Sequence, residues 1–393
     1  MRIWYLADAR LPGQAANTVQ IMKMCAAFSA CGAEVTLLAR LGRDGVTDEL
    51  FHYYDVSRSF RVARAPRLVP GRSRRDVWNI PFSLSAFPLL KLRGRNFDLA
   101  YTRLPLLAFL ASRAGIPVAF EAHRLLPEVR WLSRRLTAGL RRSTGRAAFR
   151  GFVGISHALT QWYVDRGVPS QKAIAAHDGV DLGRFIPALD RHEARRRLNL
   201  PVDRRIVGYC GHLYQGRGID ELLACALDMP QVLFLFVGGS DGDVEKYRAL
   251  AGAQRLNNTL FTRFVPQSEI PAWLFAADVL AMPYNQQTGS SWFMSPMKLF
   301  EYMAAERPIV ASRFPSVCEV LRDGENAFLV EPGDPAALRD GLRRGLADPT
   351  AADMARHARE EVEQLTWTKR ARRILDFLHD SAKVRSSVAL EAH

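Results

Sequence analysis

The chain has 393 residues, of which 48% are apolar, and a formal net charge of +14 at pH 7. This length predicts two domains, and the apolar share is enough for two cores. No apolar run approaches the roughly 18 residues of a membrane span, and the first residues predict a strand instead of a signal peptide. Five scattered cysteines without a CxxC pair argue against a zinc site or a disulfide framework.

Short β-branched and aromatic runs alternate with helical stretches, which is typical of parallel βα units. The predicted strands of the first half are 3–6, 34–39, 99–102, 118–121, 152–155 and 173–176. Those of the second half are 206–210, 233–237, 260–264, 279–282, 309–311 and 327–330. Beyond Asp334 the pattern is helical, ending in a helix over 360–381. The pattern predicts an α/β fold of two Rossmann-like domains, whose strand ends border a common ligand cleft.

The first predicted strand leads into a turn, residues 8–18, and then a helix that begins near Thr18. This turn lacks GxGxxG, which argues against a dinucleotide cofactor. Gly13 either brings the backbone close to a substrate or simply shapes the turn. His123, after the strand 118–121, is placed to contact a substrate or transfer a proton, although a structural histidine is the alternative.

Arginine is concentrated between Arg124 and Arg150, where eight arginines accompany the single acid Glu128. Val129, Leu132, Leu136 and Leu140 recur at helical spacing around Trp131. This predicts a basic amphipathic helix that lies on an anionic membrane surface, with a merely solvated face as the alternative. A second basic region covers 61–75, followed by Lys91, Arg93 and Arg95. Without a helix-turn-helix, zinc-knuckle or RNP-like pattern, we expect no nucleic-acid partner.

A glycine-rich loop follows the strand 206–210 and reads GHLYQGRGID, from Gly211 to Asp220. Its glycines allow close approach of a ligand to the backbone, and Arg217 offers a guanidinium to phosphate oxygens. The P-loop pattern fails here, because Arg and Gly replace its Lys and its hydroxyl. A loop without a ligand is the alternative. Asp241 and Asp243 form a DxD, which we attribute to helix capping and not to a metal site.

The segment SPMKLFEYM begins at Ser295 and predicts a helix with Ser295 as N-cap and Pro296 in its first turn. Lys298 then lies near the positive end of the helix dipole, which is unfavourable unless an anion binds there. Glu301 lies on the same face and suits the hydroxyl groups of a ribose. The alternative is an ordinary surface ion pair between Lys298 and Glu301.

These segments together resemble glycosyltransferase family 4, whose members have the two-domain GT-B fold and transfer a sugar from a nucleotide sugar with retention. The resemblance rests on ANTVQIMKMCAAFSACGAEVTLLAR, FEAH, ISHAL, HDGVDLGRF, YCGHLYQGRGIDELL, FTRFVP and SPMKLFEYMAAERPIVAS. It implies an acceptor domain over 1–186 and a donor domain over 187–365. A C-terminal segment, 366–393, would pack back toward the acceptor domain.

The resemblance implies that Arg217 and Lys298 bind the donor diphosphate as the catalytic cations, with His123 beside the transferred sugar. Glu301 would hold the ribose, with other donor contacts from Gly13, Gly211, His212, Phe264, Val265, Ser295, Met297 and Leu299. No cofactor and no metal are implied. Partners would be a nucleotide sugar and a saccharide or lipid-linked acceptor, at the cytoplasmic face of the inner membrane.

Two positions depart from the family pattern. Phe293 stands where a glutamate often precedes the ribose-binding one, and His212 stands where a basic residue is usually Arg. Ser290, Ser291 or Ser295 would then be alternative contacts for the sugar. A catalytically decayed scaffold for glycan assembly and a nucleotide-sugar epimerase of the same fold are the competing functions. A phosphorylase is disfavoured, because no lysine has a recognisable pyridoxal setting.

Overall fold

A computed structural model describes residues 1–42, 45–66, 79–93, 96–126 and 131–390, without the side chains of 132 and 381–390. The chain forms two compact units. One comprises Met1–Asp178 and Trp367–His393, and the other comprises Gly179–Thr366. The sequence predicted domain boundaries after residues 186 and 365. In the structure the two units divide after residues 178 and 366.

The first unit is built on a seven-stranded parallel sheet. Its strands are β1 (Arg2–Leu11), β2 (Glu34–Leu41), β3 (Arg61–Arg64), β4 (Leu99–Thr102), β5 (Val118–Ala122), β6 (Phe149–Gly154) and β7 (Ala173–Ala175). They are ordered β3-β2-β1-β4-β5-β6-β7, which is a doubly wound arrangement. The connecting helices are α1 (Ala16–Ala30), α2 (Asp48–Tyr53), α3 (Ile80–Leu92), α4 (Pro105–Arg113), α5 (Trp131–Thr144) and α6 (His157–Val164).

The second unit repeats this plan with six parallel strands, ordered β10-β9-β8-β11-β12-β13. The strands are β8 (Arg205–Cys210), β9 (Val232–Val237), β10 (Thr259–Phe261), β11 (Val279–Met282), β12 (Ile309–Ser312) and β13 (Phe328–Val330). The helices are α7 (Arg191–Arg197), α8 (Ile219–Asp228), α9 (Asp241–Ala253), α10 (Ile270–Phe275), α11 (Met297–Ala304), α12 (Pro315–Cys318), α13 (Pro335–Ala347) and α14 (Ala351–Glu361). Apolar clusters cover both faces of this sheet, as a fully buried parallel sheet requires.

The last helix, α15 (Trp367–Leu390), belongs to the first unit and packs against α1 and β6. Leu378 contacts β6 at Gly151, where an added Cβ would lie 2.7 Å from the leucine side chain. The absence of a side chain at Gly151 therefore lets α15 approach the sheet closely.

The fold class predicted from the sequence is confirmed, and each predicted strand overlaps an observed one. One strand, β3, was missed, because its four residues are bounded by Arg61 and Arg64 and its pattern is only partly buried. The strand predicted at 260–264 ends at Phe261. No helix in the described part of the chain is both long and apolar enough to cross a membrane.

Candidate functional site

Lys298 is held at the start of α11, with its ammonium group enclosed by protein. Its Nζ lies 3.7 Å from the centre of the Tyr209 ring and 5.3 Å from that of Tyr284. The ammonium is buried and has no hydrogen-bond partner among the residues that the structure describes. Burial, and then the positive charge of Arg217, hold the pKa of Lys298 well below its usual range. An uncompensated buried cation of this kind calls for an anion.

Arg217 reaches the same aromatic ring from the glycine-rich loop. Its guanidinium carbon lies 4.4 Å from the centre of the Tyr284 ring. Two cations from different elements therefore share one ring, which stabilises positive charge by about 0.5–2 kcal/mol per contact. The convergence of Arg217 and Lys298 that the sequence predicted is present in the second unit.

The glycines of this loop have positive φ and tight surroundings. An added Cβ at Gly218 would lie 1.8 Å from the Pro283 carbonyl oxygen, and one at Gly216 would lie 2.6 Å from the Thr288 nitrogen. Thr288 Oγ1 also donates to the Gly216 carbonyl at 2.7 Å. The turn that aims Arg217 is thus fixed against the segment 283–288.

Gly211 directly follows β8 and has φ +133°, and an added Cβ there would lie 2.8 Å from Lys298 Nζ. Its amide is used within the sheet and donates to the Val237 carbonyl at 2.8 Å. Gly211 therefore makes room for the ammonium group. Its neighbour His212 stacks on Tyr214, with ring centres 4.7 Å apart and planes 5° apart.

The start of α11 differs from the sequence prediction. Pro296 is the N-cap and no side chain caps the helix, so the assignment of Ser295 as N-cap was wrong. Ser295 lies one residue earlier and is buried. Met297 is then the first helical residue, and the Leu299 amide donates to the Pro296 carbonyl at 2.9 Å. Lys298 becomes the second helical residue, still within the turn where the helix dipole disfavours a cation.

Glu301 pairs with Arg184 at 3.3 Å, and both side chains are largely buried. The carboxylate is not paired with Lys298, whose ammonium group has no hydrogen-bond partner. The alternative of an ordinary surface pair between Lys298 and Glu301 was therefore wrong. Phe264 is partly exposed and Val265 is buried at the end of the segment after β10.

Both acids of the DxD, Asp241 and Asp243, lie in the first turn of α9, but the N-cap residue is Ser240. Ser240 caps α9 by accepting from the Asp243 amide, and its hydroxyl donates to the Asp243 carboxylate at 2.6 Å. Asp241 pairs with Arg263 at 3.2 Å.

His123 belongs to a buried polar cluster at the end of β5 in the first unit. Its Nε2 contacts the carboxylate of Glu121, which also accepts hydrogen bonds from Gln20 at 2.9 Å and from Tyr101. Arg370 of α15 reaches the same carboxylate at 3.4 Å. Since a carboxylate accepts, the His123 hydrogen lies on Nε2 and leaves Nδ1 as an acceptor.

The charge states in this cluster follow from burial and from Arg370. Burial is the largest influence on Glu121 and would raise its pKa, but Arg370, His123 and Arg103 together outweigh burial and hold the pKa well below its usual range. Burial and the nearby Arg103 lower the pKa of His123 to about 3. His123 is therefore a neutral imidazole near pH 7.

Gly13 lies in a fixed turn of the first unit. Its amide donates to the Tyr54 hydroxyl at 2.7 Å, and its carbonyl accepts from Thr18 at 2.6 Å. Thr18 is inside α1, which begins two residues earlier than predicted, at Ala16. Both groups of Gly13 are engaged within the unit, as expected of a structural turn.

Among the described residues of the basic segment 124–150, helix α5 covers Trp131–Thr144. Residues 124–126 and 145–150 are not helical, so the predicted helix was too long at both ends. Gly145 follows the helix, and Arg150 lies in β6. The predicted features at 43–44, 67–78, 94–95 and 127–130, including Arg95, Glu128, Val129 and Arg130, lie outside the described residues. Within α5, Leu140 is buried, whereas Arg134, Arg135, Arg142 and Trp131 are exposed.

Sequence reasoning missed the aromatic walls Tyr209 and Tyr284, and the cluster that links Glu121 to Arg370. Tyr209 precedes Gly211 by two residues on a strand, so its alternation with the glycine was a usable signal. Arg370 is 249 positions from Glu121 and gave no such signal.

Two protein families match consecutive parts of this chain. Residues 18–184 match the family described as Glycosyltransferase Family 4. Residues 204–348 match the one described as Glycosyl transferases group 1.

Curated relatives carry the name D-inositol 3-phosphate glycosyltransferase. One from Nocardioides sp. is 31% identical over 234 residues, 54% of this chain and 49% of the relative. Another, from Streptomyces avermitilis, is 34% identical over 211 residues, 50% of this chain and 44% of the relative. The chain thus spans about half the length of the curated relatives it matches.

Solved structures are similar over the whole chain. Sucrose-phosphate synthase from Thermosynechococcus elongatus has a TM-score of 0.76 at 20% identity, covering 96% of this chain and 98% of that one. HepE of Anabaena, in complex with UDP, has a TM-score of 0.74 at 18% identity, covering 97% and 100%.

These likenesses, with the two parallel-sheet units, define the fold as that of the GT-B glycosyltransferases. The two glycosyltransferase family models match sequence in both units, which confirms the resemblance to glycosyltransferase family 4 drawn from the motifs.

Proposed function

We propose that this chain is a retaining glycosyltransferase that moves a hexose from a UDP- or GDP-sugar to a saccharide or lipid-linked acceptor, in cell-envelope or exopolysaccharide synthesis. The observation that carries the proposal is the pair of cations, Arg217 and Lys298, on the Tyr284 ring. Their charge is what a diphosphate leaving group requires. The UDP complex of the similar HepE structure supports a nucleotide diphosphate as ligand.

In this mechanism the two cations stabilise the negative charge that develops on the diphosphate as the glycosidic bond breaks. They would fill the role that a divalent metal has in other sugar transferases. Glu301, held by Arg184, would accept from the ribose hydroxyls. The backbone at Phe264 and Val265 would contact the base, with His212, Ser295, Met297 and Leu299 completing the donor site.

Retention follows from the resemblance to family 4, and because no side chain in the sequence is recognisable as a nucleophile toward the sugar, it is best explained by a same-face substitution assisted by the leaving phosphate. The acceptor hydroxyl would then attack on the face that the diphosphate leaves, and a phosphate oxygen would take its proton. His123, neutral and with Nδ1 available, would accept a hydrogen bond beside the transferred sugar.

The test is transfer by the Lys298→Ala variant. We expect turnover to fall by about 10²–10³-fold, because removal of one preorganised charge from a leaving-group site has effects of this size. Lys246→Ala is a matched control, since the Lys246 ammonium lies 4.8 Å from the Tyr247 ring but Lys246 itself is exposed. Near-normal transfer by Lys298→Ala would overturn the assignment.

A second measurement separates an active transferase from a decayed scaffold. Thermal shifts with UDP, GDP and their sugars identify the base, because a ligand at 100 times its dissociation constant stabilises by about 2.7 kcal/mol. Nucleotide binding without sugar transfer in the presence of cell-envelope glycolipids would favour the scaffold.

A further inference from the structure

A cavity of about 80 Å³ lies in the first unit beside β1 and beyond the ends of β4 and β5. Its polar walls come from Asp8, Asn17, Asn79, Arg103, His123 and Arg124. One water needs roughly 10–15 Å³ of such volume, so the cavity has room for several waters or for one compact polar group.

Two guanidinium groups dominate the charge of this cavity. Arg103 follows β4 and donates to Gln20 Oε1 at 2.8 Å and to the Asn17 carbonyl at 3.4 Å. Arg124 follows β5, and its carbonyl accepts a hydrogen bond from the Tyr163 hydroxyl at 3.0 Å. Its guanidinium makes no hydrogen bond to the described residues. Among the described residues, no carboxylate forms an ion pair with Arg103 or with Arg124.

The two arginines repel each other across the cavity. Arg124 is partly exposed to solvent, and partial burial together with the charge of Arg103 lowers the pKa of its guanidinium. Burial and then the positive charge of Arg103 also lower the pKa of His123, to about 3. An anion in the cavity would reverse this repulsion.

Asp8, the acid in the wall, does not supply that anion. Its carboxylate forms a 2.6 Å ion pair with Arg40 and accepts from Asn79 at 3.1 Å. The ion pair with Arg40 therefore neutralises Asp8. Arg103 also interacts with the buried carboxylate of Glu121 and helps to lower its pKa, which offsets part of the charge of Arg103. No carboxylate among the described residues offsets the charge of Arg124 in this way.

We propose that this cavity binds a phosphate group of the acceptor, with Arg103 and Arg124 as its ligands. Guanidinium groups from two strand ends match the several oxygens of a tetrahedral oxyanion. The inference rests on the proposed transferase function and names its acceptor class, a phosphorylated alcohol. The phosphate belongs either to a soluble acceptor or to a lipid headgroup.

The test is calorimetric titration of the full chain with inorganic phosphate and with glycerol 3-phosphate. The protein carries Lys298→Ala throughout, so that the anion site of the second unit does not contribute. We expect Arg103→Met and Arg124→Met each to weaken binding at least tenfold. Arg113→Met, which removes an exposed arginine at the end of α4, is the matched control. Equal affinity in all these proteins would overturn the inference, unless the vesicle arm below shows dependence on Arg103 and Arg124.

A second arm distinguishes the source of the phosphate. The same variants are sedimented with phosphatidylcholine vesicles that contain phosphatidic acid. If binding of inorganic phosphate and glycerol 3-phosphate depends on Arg103 and Arg124, the acceptor is soluble. If only binding to the vesicles depends on them, the phosphate belongs to a lipid headgroup. Independence in both arms overturns the inference.

Failure of the proposed function is recognised separately. If nucleotide binding depends on Lys298 but phosphate binding does not depend on Arg103 and Arg124, the proposed transferase function stands. The proposal of a phosphorylated acceptor is then rejected. If phosphate binding depends on both arginines but no sugar transfer is found, the phosphate site stands and the proposed transferase function is rejected.

Discussion

Lys298 is proposed to bind the donor diphosphate, but its burial lowers the stability of the ligand-free protein. Its ammonium is buried among Tyr209, Tyr284 and Arg217 without a hydrogen bond. Burying a cation in this way destabilises the ligand-free protein, although the aromatic rings offset part of the effect. Residues that are poised for a ligand often reduce stability in its absence.

We therefore expect Lys298→Met to abolish transfer and to raise the free energy of unfolding by about 0.5–2 kcal/mol. The gain should be largest near neutral pH. Because the folded chain lowers the pKa of Lys298, the unfolded chain binds more protons, and wild-type stability rises with pH toward 10.5. The advantage of the variant should shrink over the same range.

Urea unfolding of both proteins between pH 7 and 10 measures this. Lys246→Met serves as the control, with no comparable gain expected at an exposed site. A loss of stability in Lys298→Met would mean that the ammonium is satisfied in the folded protein.

At the scale of residues, the sequence identified the two cations Arg217 and Lys298 but not the tyrosine rings that pack against them. Lys298 was recognised because a cation near a helix start is locally unfavourable, and that signal needs no tertiary structure. Ser295 was misassigned as the N-cap because Ser is a common cap, whereas α11 begins after Pro296 without side-chain capping. The packing of the preceding loop decides which residue becomes the N-cap, and local residue preferences carry no information about that packing.

At the scale of elements, α15 is tied to β5 through one buried ion pair. Arg370 contacts Glu121 at 3.4 Å and donates to the His177 carbonyl at 2.8 Å, and both charged side chains are almost completely buried. Removing one partner of such a pair leaves the other charge uncompensated. The C-terminal helix is thereby part of the scaffold that orients His123.

We expect Arg370→Met to destabilise the protein by about 3–5 kcal/mol. The double variant Glu121→Gln/Arg370→Met should lose less than the sum of the two single variants, since neither charge is then buried alone. Unfolding by urea, followed by tryptophan fluorescence, gives these values. Additive losses would show that the pair is not coupled.

The strands of both sheets were predictable because buried parallel strands are short apolar runs between helices. β3 was not, because Arg61 and Arg64 at its ends made four residues look like part of a basic loop. The pairing of Arg370 with Glu121 was beyond prediction, since it joins positions 249 residues apart.

At the scale of the whole molecule, the net charge of +14 favours anionic surfaces. The exposed face of α5 concentrates this charge, and Arg135 lies 5.2 Å from the ring of the exposed Trp131. We propose that this face docks on the inner membrane, with Trp131 entering the interface and the arginines contacting acidic headgroups.

Charge reversal at Arg134, Arg135, Arg141 and Arg142 should reduce sedimentation with vesicles of phosphatidylglycerol and phosphatidylcholine by about tenfold or more, since each basic residue contributes about 1 kcal/mol. The matched control reverses Lys246, Arg255, Arg343 and Arg356, which are exposed in the second unit. Binding of wild type should weaken as salt rises. Equal loss in both quadruple variants would indicate attraction by total charge without a docking face.

The close approach between Gly218 and the Pro283 carbonyl has a consequence for engineering. Saturation libraries selected for new donor sugars should return glycine at position 218 in every active clone, since even a methyl group would collide with the backbone. Positions 212 and 214, whose stacked rings are not enclosed in this way, should diversify. Altered selectivity would then evolve by exchanging the rings while the turn beneath them stays constant.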